Sequence, residues 1–65
     1  MNFRINEGVR LLEDIPSVGI YRGSLGVVVA VLSEPEEAYE VEFCDGGGAT
    51  IAQISLRSAQ FEVMR

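Results

Sequence analysis

The chain contains no histidine, no lysine and no tryptophan, and it has a single cysteine and two prolines. Each absence closes a class of function. Without histidine or lysine, the usual general bases and Schiff-base nucleophiles are missing. Cys44 has no imidazole to activate it and no second thiol to pair with, so neither a thiol nucleophile nor an internal disulfide is expected. A Cys/His metal site has no ligand set. No apolar run approaches the roughly 18 residues of a membrane span. The opening segment MNFRINEGVR has no apolar signal core. A lone free thiol fits a reducing compartment, and the chain is read as cytoplasmic with no membrane contact.

Cations are also scarce. The net charge is -5, from ten acids against five arginines. Residues 23–56 hold six of those acids and no Arg or Lys. Proteins that bind duplex DNA or RNA use cations to displace the counterions of phosphate. The middle of this chain would repel a phosphate backbone, so no nucleic acid is expected.

What is present is apolar and alternating. The hydrophobic content is 48% over 65 residues. That is enough to fold and points to a single domain over residues 1–65 with a small core. The period is two more often than 3.6. VRLLED is a first strand, with Val9 and Leu11 on one face and Arg10 on the other. IPSVGIYRGS is a long loop whose Ile15, Val18 and Ile20 should pack back onto the core. GVVVAVL is a second strand; its unbroken apolar run implies that both faces are covered or that one lies against a neighbouring chain. SEPEEA is a solvated turn. YEVEF is a third strand with Tyr39, Val41 and Phe43 inward and Glu40 and Glu42 outward. Asp45-Gly46 marks a hairpin, and ATIAQISL returns as a fourth strand. RSAQ suits one 3₁₀ turn. FEVMR closes the chain as a fifth strand with Phe61 and Val63 inward. The pattern predicts an all-β fold, a small five-stranded SH3-like barrel with one 3₁₀ turn before the last strand. Closure would also remove the edges of a flat sheet.

LLEDIP with a glycine a few residues on, GxxGVVV, EAYEVEF with an Asp after it, and TIA followed by Leu occur in an order that resembles the DUF4926 family of small bacterial proteins. The likeness covers residues 9 to about 61. It implies an SH3-like barrel near the KOW-type barrels and no catalytic residues. The hairpin CDGGGAT is richer in glycine than the family pattern.

Four groups of residues remain as candidate sites. RGSLGVVVAV resembles the glycine-led strand of KOW barrels, but only Arg22 is nearby, so Gly26 is read as the hinge that turns the chain into the second strand. Gly46, Gly47 and Gly48 lack the Lys and following helix of a phosphate loop and are read as a hairpin turn. Cys44 is expected at a strand end, buried or half buried. The acids Glu34, Glu36, Glu37, Glu40, Glu42 and Asp45 lack the alternating spacing of a calcium loop, and they keep the surface soluble or meet a basic partner, with Glu36, Glu37, Glu40 and Glu42 as its contacts. Tyr21, on the long loop, is a further contact candidate, though one tyrosine without tryptophan makes a poor groove for a proline-rich peptide.

No enzyme, cofactor or metal is expected. The leading expectation is a small binding module that recognises a protein partner, with Tyr21, Glu36, Glu37, Glu40 and Glu42 as contacts, or recognises itself as a homo-oligomer. Phe3, Ile5, Ile51 and Met64 are spare apolar residues for self-association. The alternative is a KOW-like barrel associated with RNA or the ribosome.

Overall fold

In a computed structural model, which describes residues 3–64, the chain forms five strands. They are β1 (Gly8–Leu11), β2 (Leu25–Leu32), β3 (Ala38–Cys44), β4 (Thr50–Leu56) and β5 (Phe61–Val63). Arg65, at the end of the expected fifth strand, lies outside the described residues. All pairings are antiparallel, in the single order β4-β3-β2-β1-β5. The fold is all-β and SH3-like, as the alternation predicts. The expected 3₁₀ turn occupies Ser58–Gln60, and a second one occupies Pro16–Val18 in the long loop.

The alternating residues place the core. Val9 and Leu11 from β1, Val28 from β2, and Tyr39, Val41 and Phe43 from β3 are buried with Leu56, Phe61, Ile20 and Phe3. Ile15 and Val18 of the long loop pack against this cluster, as expected, and so do Ala52, Ile54 and Val63. Phe3 is a correction: it is core, not a spare surface residue. Its ring meets Tyr39 edge-on at 5.1 Å and Phe61 at 4.5 Å.

The expected closure of the barrel is not made, and the same aromatic triad shows how the open sheet curls instead. No hydrogen-bonded ladder joins β4 to β5. Yet Tyr39 on β3 and Phe61 on β5 stand three strand spacings apart, about 14 Å in a flat sheet, and their ring centroids are 5.7 Å apart. The sheet is therefore strongly curled, and side chains rather than backbone pairs join its two halves. A β-bulge between Val28 and Ala30 adds to the bend.

Of the two expectations for β2, cover on both faces within the chain is corrected. Val28 is buried, but Leu25, Val27, Val31 and Leu32 are exposed. The outward side of this apolar run has no covering element among the described residues.

Candidate functional site

The stretch YRGSLG divides its glycines between two tasks. Gly23 has φ +93° and lies in the turn, where its N–H donates to Leu11 C=O at 2.8 Å. The neighbouring Ser24 N–H donates to Tyr21 C=O at 2.9 Å. The turn into the second strand is thus made at Gly23, not at Gly26 as expected. Gly26 lies inside β2 opposite Phe43. A Cβ there would meet Glu42 O at 2.8 Å and the Phe43 ring at 2.9 Å. Glycine is present because the ring lies flat against the strand, a close approach that any side chain would obstruct.

The outward face of the same strands holds a shallow groove of about 210 Å³, lined by Gly8, Leu25, Gly26, Val27, Glu42, Cys44 and Met64. The register builds it. Val27 stands opposite Gly8 on β1 and Glu42 on β3. Met64 N–H donates to Gly8 C=O at 2.9 Å, and the Met64 methyl lies 3.3 Å from where a Gly8 side chain would begin. The missing side chain at Gly8 leaves the floor open, and the flexible thioether of Met64 forms one wall. Leu25 is 51% exposed, and Val27 and Met64 are each 40% exposed. One flank carries the Glu42 carboxylate. The other carries the Arg10–Glu62 ion pair, at 3.3 Å.

The five candidate contact residues are not brought together in one cluster. Glu40 and Glu42 do face outward from β3, as the alternation predicts. Each is tied across the β3–β4 hairpin: Ser55 Oγ donates to Glu40 at 2.8 Å and Thr50 Oγ1 donates to Glu42 at 2.6 Å. Glu36, in the β2–β3 turn, is ion-paired with Arg57. The Glu37 carboxylate acts on the Tyr39 phenol two residues on. Burial first, and this carboxylate second, push the Tyr39 hydroxyl above its ordinary value of 10.0. Tyr21 lies on the long loop with 52% of its surface exposed, and its N–H donates to Ser24 Oγ at 3.1 Å. Of the five, Glu42 alone lines the groove.

Cys44 also lines the groove, and it is exposed rather than buried or half buried. It ends β3 on the outward face, two residues after Glu42, because Tyr39, Val41 and Phe43 take the inward positions. The triple-glycine hairpin is organised by Asp45. Its Oδ1 accepts the N–H groups of Gly47 and Ala49 at 2.8 and 3.0 Å, and its backbone carbonyl accepts that of Gly48 at 3.0 Å. The amides that a phosphate would need are already bound to a carboxylate and its own backbone.

Leu25, Gly8 and Cys44 were missed as site residues in the sequence. The available signal was the failure of LGVVVAVL to alternate, which marks a strand with an apolar outer face.

Gly26 of YRGSLG, the AYEVEF strand and the TIA segment stand here in one sheet, with Gly23 in the turn that leads into it, in the order of a known family. The family model described as a domain of unknown function, DUF4926, matches residues 5–63. The chain belongs to the DUF4926 family. No curated protein and no solved structure matches it. Among the described residues of this DUF4926 chain no helix is long and apolar enough to cross a membrane. Among the described residues, no group of three or more His, Cys, Asp or Glu side chains is placed to hold a metal ion.

Proposed function

We propose that this DUF4926 protein is a non-enzymatic binding module, and that its outer-face groove receives an apolar side chain of a protein partner whose flanking residues are basic. One observation carries the reading: the groove floor and walls are apolar and uncovered, while Glu42 sits on its rim. Exposed apolar patches bounded by polar groups mark interaction sites on small soluble domains. The rim charge selects the partner's sign. Across residues 23–56 there is no cation to offset the six acids, so a basic segment gains long-range attraction and an acidic one is repelled.

The acids serve in this reading mainly as a field. Arg57 offsets Glu36, while Glu40 and Glu42 accept from neutral hydroxyls, which fixes their positions and leaves their charge in place. Tyr21 stands apart on its loop and contributes only where a partner extends past the groove.

The experiment is affinity capture of the tagged chain from its native cells at low salt, with protein and nucleic acid both read in the eluate. Two variants run beside the parent: Val27→Asp, which puts a charge in the groove wall, and Glu42→Arg, which reverses the rim. A stoichiometric basic protein that both variants lose supports the proposal. Capture that neither variant changes overturns it. Co-purifying RNA that shifts the parent chain in a gel would replace it with the RNA-associated alternative.

A further inference from the structure

The two edges of the sheet are guarded very differently. β5 is three residues long and carries Glu62 at its centre. β4 is seven residues long and, among the described residues, pairs only with β3. No backbone hydrogen bond other than those to β3 joins residues 50–56 among the described residues. An antiparallel strand directs about half of its N–H and C=O groups to each side, so β4 presents a row of them outward. Proteins usually protect such an edge with a charge, a proline or a bulge. Here the bulge at Ile51 covers only the start of the strand. From residue 46 to residue 56 there is no charged side chain and no proline. Ala52 and Ile54 on the inner face are only partly buried, though they pack on the core.

We propose that the free edge of β4 pairs antiparallel with the β4 edge of a second copy of this chain, joining two five-stranded sheets into one. The charge distribution argues for a second copy. Two chains of net charge -5 repel, and the segment 46–56 is the stretch where they approach with no charge on either side. An uncharged strand offers a charged foreign segment nothing to select. An antiparallel strand laid against itself is also self-complementary, as a two-fold interface requires. The two central registers that keep faces matched set Gln53 opposite Gln53 of the copy, with Ala52 against Ile54, or Gln53 opposite Ser55, with Ile54 against Ile54 and Ala52 against Leu56. The added strand covers Ala52 and Ile54 and satisfies the outward backbone groups. This inference rests on β4 alone and does not depend on the groove.

The test is sedimentation of the full chain across a concentration series, with hydrogen exchange in parallel. The expected species at high concentration is a dimer of 14.2 kDa, twice the 7.1 kDa of the chain. Amides within residues 50–56 should exchange more slowly as concentration rises, and those of Gly8 and Val27 should not change. The decisive variant is Gln53→Lys/Ser55→Lys. Within one chain these positions face Glu42 and Glu40, so each new cation meets a carboxylate and the fold is kept, as circular dichroism and thermal unfolding would report. Across a β4–β4 pair the cations meet each other. The net charge falls from -5 to -3, so general repulsion decreases and cannot explain a loss. Dimerisation weakened about tenfold or more, with the fold intact, supports the proposal. A monomer at every concentration overturns it. So does a dimer that this variant leaves unchanged and that Val27→Asp abolishes, because that dimer would pair through the groove.

Discussion

Tyr39 carries the clearest single-residue consequence. Its phenol is buried against Phe3 and Phe61, and burial first and the Glu37 carboxylate second raise its pKa. The unfolded chain releases this proton near 10.0, and the folded chain holds it to higher pH. Between those two values the native state binds more protons than the unfolded state, so stability falls as pH rises. The contribution is fully present below 10 and is lost above it. Denaturant unfolding through this range should show the decline in the parent, and Tyr39→Phe should remove the Tyr39 part of the slope. The substitution should also cost about 1 kcal/mol near neutrality, the usual worth of one hydrogen bond. At this scale Tyr39 was legible as an inward residue from YEVEF alone. Glu37 was legible only as one acid in a solvated turn, because nothing local says that a buried hydroxyl two residues on will respond to it.

At the scale of the element, the contact between β2 and β3 depends on Gly26. Its missing side chain lets the Phe43 ring lie against the strand, and an added methyl would collide with both that ring and the Glu42 carbonyl. Gly26→Ala should destabilise the fold by about 1–3 kcal/mol, the range for overpacking a close contact. The denaturant midpoint should fall with little change in slope, since the surface exposed on unfolding is the same. A variant as stable as the parent would show that the two strands can part at no cost. The sequence shows a glycine before a run of valines, which reads as a turn. That glycine's partner lies 17 positions further on, and only the register reveals that the small residue answers an aromatic ring. The third strand and the Asp45 hairpin were readable because their signals are local: strict alternation in one, an Asp-Gly pair in the other.

For the whole molecule, the two surfaces respond to salt in opposite directions. A basic partner of the proposed groove would be attracted by the net charge of -5, whereas two copies of the chain repel by the same charge. Ionic strength of 0.1 M shortens the reach of both effects to about 10 Å. Raising salt should therefore weaken partner capture and strengthen pairing through β4. Measuring both constants against salt separates the surfaces without any substitution. A partner complex that tightens with salt would place its contacts outside the acidic field.

The sequence by itself determined the all-β class, the order of short strands, the 3₁₀ turn before the last one, the acidic middle and the family likeness. All of these depend on neighbours within a few positions or on composition. Tertiary structure decided which side of β2 stays bare, that Phe3 enters the core, that Cys44 is left exposed, and that aromatic contact rather than a backbone ladder joins β3 to β5. Those outcomes depend on residues far apart in the chain. Their positions follow from how far the sheet curls, and curling is a property of the packed whole that no local pattern encodes.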